Sequence, residues 1–242
     1  MRGFAKRWVN RALRPLGLQV VATQDDERAA LVDLLHARGI DHVIDVGANE
    51  GQFARQLLDK GYRGRIDCIE PLETAHVALS RSFRNHAQVS VLSRTAVGAS
   101  KGTTQINVAG NSVSSSILPM EAAHQVAAPR SRYEGSQAVE LTTLDSLYLT
   151  REGFAAERTL LKIDTQGFEG HVLDGAGGIL PQLAGVLIEL STTSLYTGQS
   201  RWEGLHERLC AAGFELWGLM PDFRDRNSGR LLQFDGLYMH ES

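Results

Sequence analysis

Eleven residues constrain this 242-residue chain more than any others: Val43-Ile44-Asp45-Val46-Gly47-Ala48-Asn49-Glu50-Gly51-Gln52-Phe53. A β-favouring run carrying one acid leads into glycines at 47 and 51, and helical patterning begins at Gln52. That is a buried strand, a tight turn and a helix N-terminus, the ligand-binding corner of a doubly wound α/β domain. Gly47 permits close backbone approach at the strand end, and Gly51 lets the helix start against the ligand. A dinucleotide site needs G-x-G-x-x-G to seat a pyrophosphate on that helix. Here Ala48 and Asn49 follow Gly47, so the second glycine comes too late. Asp45 would also repel a phosphate and suits a cationic ligand instead.

A second acid, Glu70, lies at the end of the next strand, Arg65 to Glu70, which Pro71 stops. An acid there accepts both hydroxyls of a ribose, since an ionised carboxylate makes the stronger hydrogen bonds. NAD would use the same acid, so only the glycine spacing separates the two kinds of nucleoside ligand. The third strand, Val89 to Leu92, ends near Ser93-Arg94-Thr95-Ala96, where the adenine should lie.

Helical spacing over Gln52 to Lys60 and Thr74 to Phe83 completes a βαβαβ unit, which calls for a parallel sheet with right-handed crossovers. Further strands are read at Thr103 to Val108, Ala138 to Thr142, Thr159 to Asp164, Val186 to Leu190, Phe214 to Leu219 and Leu231 to His240. Helices are read at Glu27 to Arg38, Leu144 to Leu149 with Thr143 as cap, Phe168 to Leu173 and Trp202 to Ala212. The fold expected is α/β, a doubly wound and mostly parallel sheet of seven strands. Residues 40–242 form its domain. A polar, Ser-rich stretch at about 109–137 reads as a lid-like insertion or a disordered loop.

Residues 1–39 read as a helical extension. Five basic residues and no acid stand in residues 1–24, which leaves 20 basic against 28 acidic residues in the rest of a chain of net charge −3. Over residues 2–14 Phe4, Trp8, Val9 and Leu13 gather on one helical face and Arg7, Arg11 and Arg14 on the other. That pattern suits peripheral docking of residues 1–16 on an anionic membrane; the alternative is packing on the domain or on a second subunit. Hydrophobic content of 43% is ordinary for a globular protein, and the net charge gives no support for nucleic acid as a partner. No apolar run approaches a membrane span and no secretory leader stands at the start, so the expected place is cytoplasmic, possible at the inner face of the membrane. Cys68 and Cys210 match no metal or redox spacing and read as buried thiols. The chain allows a homodimer without specifying one.

The acids that would do chemistry come late. Leu160-Leu161-Lys162-Ile163-Asp164 ends a strand in a carboxylate, and Val186-Leu187-Ile188-Glu189 ends its neighbour in another. Both belong at the C-terminal edge of the sheet beside the ligand cleft. They can act as base and positioning group, or hold a divalent cation such as Mg through oxygen ligands. Glu189 has a blander reading as a partner of Lys162. Gly167 and Glu169 continue a polar turn that no packing need explains. His171 is an outside candidate for a base, though a surface histidine is the plainer reading.

The motifs VIDVGANEGQFA, CIEP, SVSSSIL, TTLDSL, LLKIDTQGFEGHVLDGA, LIELS and LHERLCAAGFEL together resemble the FkbM family of S-adenosylmethionine-dependent methyltransferases, over roughly residues 40–240. The LKID-x-Q-G-x-E block is the most family-specific of them. The resemblance implies a class I, Rossmann-like fold and methyl transfer to an oxygen, often on a sugar or polyketide hydroxyl. It implies S-adenosylmethionine bound by Asp45, Gly47, Ala48, Asn49, Gly51, Glu70, Pro71, Thr95 and Ala96. Catalysis would fall to Asp164, Glu189 and, less directly, His171. The acceptor expected is a sugar or glycan hydroxyl, with a glycolipid, a polyketide or another small natural product as alternatives. An NAD-dependent oxidoreductase would need the early second glycine. A non-catalytic nucleoside-binding module would not need acids at 164 and 189.

Overall fold

The computed structural model describes residues 24–240. The basic amphipathic segment 2–14, and with it the membrane reading, lies outside the described residues.

Helix α1 (Gln24–Ala37) precedes β1 (His42–Val46), α2 (Gln52–Asp59), β2 (Arg65–Ile69), α3 (Glu73–Phe83) and β3 (Val89–Val91). Then come β4 (Ala96–Val97), β5 (Gly102–Ala109), α4 (Ala122–Ala127), β6 (Tyr133–Thr142) and α5 (Leu144–Tyr148). The chain closes with β7 (Thr159–Ile163), α6 (Glu169–Asp174), β8 (Gly185–Ser191), α7 (Trp202–Ala211), β9 (Phe214–Pro221) and β10 (Gln233–His240). Seven strands form one sheet in the order β3-β2-β1-β7-β8-β10-β9. Strands β3, β2, β1, β7 and β8 run parallel, and β10 is antiparallel to both its neighbours. This is the Rossmann-like sheet that the sequence pattern calls for.

The apolar runs of β1, β7 and β8 are buried on both faces, as a sheet covered by helices on each side requires. Alternate residues serve opposite layers. Ile44, Leu161, Ile163 and Ile188 join the core beneath α5, α6 and α7. Val43, Ile66, Leu160 and Leu187 join the core beneath α1, α2 and α3. Each fully buried aliphatic side chain contributes roughly 1.5–3 kcal/mol.

Three expectations need correction. The described part of the extension, α1, does not stand apart from the domain: Leu31, Val32 and Leu35 pack with Phe53, Ala54 and Leu57 of α2 in one core. A boundary at residue 39 therefore cuts through packed structure, and Gly39 (φ 66°) merely ends the helix. The Ser-rich stretch is not structureless. Strands β4, β6 and β5 make a second, three-stranded sheet, with β6 beginning at Tyr133. The segment between β5 and β6 is pinned to the loop that follows β8: Thr197 N donates to Pro119 O at 2.8 Å and Glu121 N to Leu195 O at 2.8 Å. Finally, Cys68 is buried as expected but Cys210 is exposed, on the solvent side of α7. Thr143 does cap α5, accepting from Ser146 N at 3.1 Å.

Candidate active site

Parallel register assembles the site. Val46 pairs with Ile69 on one side and Ile163 on the other, so Gly47, Glu70 and Asp164 leave the sheet in one row. Ile163 pairs with Ile188, which sets Glu189 beside Asp164, and Asp235 of β10 lies opposite Glu189. The chain winds from β1 to β2 in one direction while β7 lies on the other side. This is the switch point at which open α/β sheets take their ligands. A cavity of about 450 Å³ opens there, with Ser112 to Ser115 of the insertion forming part of its wall.

On the β1–β2 side the backbone does most of the shaping. Gly47 has φ 81°, and a Cβ there would run into the backbone carbonyl of Asp164, so the turn admits only glycine. Glu70 is 3% exposed and lines the cavity. Its Oε2 accepts from Asn49 N and its Oε1 from Leu72 N, both at 2.8 Å. Burial pushes its carboxyl up to about 7, against the pull of those two N–H groups. Each oxygen keeps acceptor capacity for a diol. Ala48, Pro71, Thr95 and Ala96 also line this side, and Leu72, Val97 and Ile106 give it an apolar slot for a flat ring.

Two residues expected at the ligand are elsewhere. Asp45 is fully buried and does not line the cavity. Lys162 Nζ stands 3.0 Å from Asp45 Oδ1 and 3.4 Å from Asp164 Oδ2. Burial pushes the Asp45 carboxyl up, opposed by Lys162. Burial alone would lower the Lys162 ammonium, but the carboxylates of Asp45 and Asp164 outweigh it and hold the lysine firmly charged. The cation that Asp45 meets is thus the protein's own. Gly51, in the left-handed region at φ 85°, faces α3 instead: a Cβ there would clash with the Phe83 ring and approach Leu79 Cδ1 to 2.8 Å. Helix packing, not ligand approach, demands that glycine.

On the β7–β8 side one residue ties the acids together. Gln166 Nε2 lies 2.9 Å from Asp164 Oδ1 and 3.1 and 2.9 Å from the two oxygens of Glu189. The Gln166 side-chain carbonyl accepts from Tyr196 OH at 2.7 Å, and its backbone carbonyl accepts from Ser116 Oγ of the insertion at 2.6 Å. Glu189 also accepts from Gln233 Nε2 at 2.6 Å, so it does not pair with Lys162. Burial, then the charges of Asp164, Glu169, Asp222 and Asp235, push the Glu189 carboxyl well up. Asp164 is the more open acid, its side chain 36% exposed. Glu169 does have a packing reason: its Oε1 accepts from Thr165 N and Gly167 N, both at 3.0 Å, and holds the turn. His171 stacks on Phe168 with centroids 4.1 Å apart and does not line the cavity, which removes it as a base. Among the described residues no cluster of three His, Cys, Asp or Glu side chains is arranged to hold a metal ion.

Three non-glycine residues have positive φ among the described residues: Asn49 (48°), Ser112 (50°) and Gln166 (55°). All three line the cavity. Strained backbone gathers where function over-determines it. Sequence reasoning passed over Lys162 and Gln166 as working parts. Gln166 stands inside the LKID-x-Q-G-x-E block, but neither periodicity nor charge singles out an amide there.

A sequence profile of the FkbM methyltransferase domain matches residues 45–216. The chain belongs to the FkbM methyltransferase family. The enzyme is therefore S-adenosylmethionine-dependent. The cavity fits that ligand on its own evidence: a buried carboxylate with acceptor capacity for the ribose, an apolar slot, and an excess of acids to face a sulfonium and an ammonium. Its fold is similar to that of a TehB-like methyltransferase from Corynebacterium glutamicum, at 13% identity over 99% of this chain and 97% of that one, TM-score 0.45. An rRNA methylase from Streptococcus thermophilus is similar at 12% identity over 88% and 95%, TM-score 0.47. So is 1,6-didemethyltoxoflavin-N1-methyltransferase from Burkholderia thailandensis, solved with S-adenosylhomocysteine, at 12% over 90% and 78%, TM-score 0.45. No curated protein matches the chain in sequence. No helix among the described residues is long and apolar enough to cross a membrane.

Proposed function

We propose that this FkbM enzyme is an O-methyltransferase acting on a hydroxyl of a sugar or glycan, with Asp164 as general base and Glu189 assisting. One observation carries the assignment: of the two strand-end acids Asp164 and Glu189, Asp164 is the more open to the cavity, and its carboxylate is held by Gln166 Nε2 at 2.9 Å and Lys162 Nζ at 3.4 Å. An alcohol is a weak nucleophile until its proton leaves, and a positioned base adds roughly 10²–10⁴-fold. Bound S-adenosylmethionine supplies the activated methyl group. Gly47, Asn49, Glu70 and Pro71 would hold it, and the acceptor oxygen gives its proton to Asp164 as it takes the methyl. Lys162 and Gln166 fix the direction in which the Asp164 carboxylate points. In-line positioning of two held reactants contributes roughly 7–11 kcal/mol in well-oriented cases.

Support for a glycan comes from the polar character of the acid side of the cavity and from the residues 1–16 pattern, which suits an enzyme held at the inner face of a membrane beside a lipid-linked sugar. Methyl transfer from labelled S-adenosylmethionine to a panel of glycosides, polyketide alcohols and amines tests the reading. Label on glycosides supports it; label on amines alone refutes oxygen transfer. Parallel calorimetry with S-adenosylhomocysteine and NAD should show micromolar binding of the first and none of the second. Co-sedimentation with anionic liposomes, for the full chain and a version starting at Gln24, tests the membrane part, which equal partitioning would end.

A further inference from the structure

The cavity divides along the sequence. Its cofactor wall, Val46 to Asn49, Glu70 to Leu72 and Thr95 to Val97, lies inside the range matched to the family. A second wall comes from outside that range: Arg28 on α1, Phe223 after β9, and Gln233 and Asp235 on β10. Arg28 sits one turn from Leu31 and Val32, which are core residues. Arg28 ties α1 to α2 through Gln56 and Phe53 and also reaches the cavity wall.

This wall is built. The Arg28 side chain is 16% exposed and that of Asp235 18%, and Arg28 Nη2 meets Asp235 Oδ2 at 3.1 Å. Arg28 Nε donates to Gln56 Oε1 at 3.1 Å, and its guanidinium lies 5.0 Å from the centroid of the Phe53 ring. Among the described residues the remaining guanidinium nitrogen, Nη1, meets only the thioether of Met220, at 4.0 Å. A soft sulfur at that range is a weak acceptor, so donor capacity is left over. Gln233 Nε2 links the same wall to Glu189.

We infer that this second wall is the acceptor subsite and that Arg28 and Asp235 read neighbouring neutral hydroxyls of a sugar ring. The inference rests on the glycan-hydroxyl reading above and deepens it. Arg28 sets a donor beside the acceptor of Asp235, which is what a diol needs, since each hydroxyl both donates and accepts. The Arg28–Asp235 pair cancels its own charge, while Asp164 and Glu189 lie next to it. An anionic acceptor group would face those acids, and a purely apolar acceptor would strand the buried polar groups. Helix α1, which lies before the family range, thereby becomes a substrate-reading element.

The test uses the full chain saturated with S-adenosylhomocysteine. Binding is read by saturation-transfer NMR and calorimetry with methyl glucoside, methyl rhamnoside, maltotriose, a methyl glucuronide and a long-chain alcohol. Neutral glycosides should bind the native protein. Arg28→Leu should weaken them roughly tenfold or more, as expected for losing a charged hydrogen-bond donor. Arg28→Lys, which keeps charge but not the planar fork, should fall between. S-adenosylhomocysteine affinity should stay within about threefold in both variants, because the hydrogen bonds of Arg28 go to Gln56, Met220 and Asp235 rather than to the cofactor wall. Unchanged glycoside binding in both variants would overturn the subsite and leave the glycan reading standing. Binding of the alcohol or the glucuronide without any neutral glycoside would overturn both. Parallel loss of cofactor and glycoside binding in the lysine variant would assign Arg28 to folding and overturn the subsite.

Discussion

Two sets of acids on one sheet behave in opposite ways. Asp67, on β2, is fully buried and saturated: Arg65 Nε lies at 2.8 Å, Arg151 Nη1 at 2.7 Å, Tyr148 OH at 3.1 Å and His42 Nε2 at 3.2 Å. At the C-terminal ends of the strands, Glu189 and Asp164 share one amide, and Glu70 rests on two backbone N–H groups. The first set spends its charge on cations and closes on itself. The second keeps acceptor capacity and lines a cavity, and burial raises the proton affinity of Glu70 and Glu189. Burial alone therefore does not mark a functional acid; incomplete satisfaction by the protein does.

The sharpest way to break the contrast is to exchange the consequences. Asp164→Asn should lower turnover on a glycoside acceptor by about 10³-fold, given the roughly 10²–10⁴-fold that a positioned base supplies. S-adenosylhomocysteine affinity should remain within about threefold, and surviving turnover would remove Asp164 as base. Asp67→Ala should do the reverse. Stripping the partner from two arginines and a tyrosine should cost roughly 3 kcal/mol of stability in denaturant titration, with cofactor affinity of the folded fraction unchanged. If it left stability intact, Asp67 would lose its structural assignment.

Glu70 offers a pH test. Its folded carboxyl, near 7, lies above the ordinary 4.5, as does that of Glu169. The folded protein then holds protons that the unfolded chain has released. These two groups make the ligand-free enzyme lose stability as pH rises from about 4.5 through 7. A ribose diol prefers the ionised carboxylate, so S-adenosylhomocysteine should bind roughly tenfold tighter at pH 8 than at pH 6. Glu70→Gln should flatten that dependence; a dependence that persists would point to another group. The smallest expected effect is Thr143→Ala, which removes the cap of α5 at a cost of about 1 kcal/mol and should leave both sites untouched. A change in cofactor affinity there would show the two regions to be coupled.

Much of this was legible beforehand. Apolar β-favouring runs and strand-end acids located β1, β2, β7 and β8, and Glu70, Asp164 and Glu189 do line one cavity. Asp45 was misread because an acid at a strand end looks the same whether it meets a ligand or a lysine 117 residues away. Gly51 was misread because a left-handed turn serves a ring of α3 as readily as a ligand. The insertion read as a loop because its serines bond to backbone and to Gln166, partners that no local pattern announces.

The sequence by itself determined the order of elements, the parallel core and the row of residues that leaves it, because apolar runs and glycine turns act locally. It also carried the family. Tertiary structure alone decided what each charge faces: Asp45 against Lys162, Glu189 against Gln166 and Gln233, Arg28 against Asp235. The physical reason is that a charge is settled by whichever partner packing brings within about 4 Å in a poorly hydrated interior, and those partners arrive from distant parts of the chain.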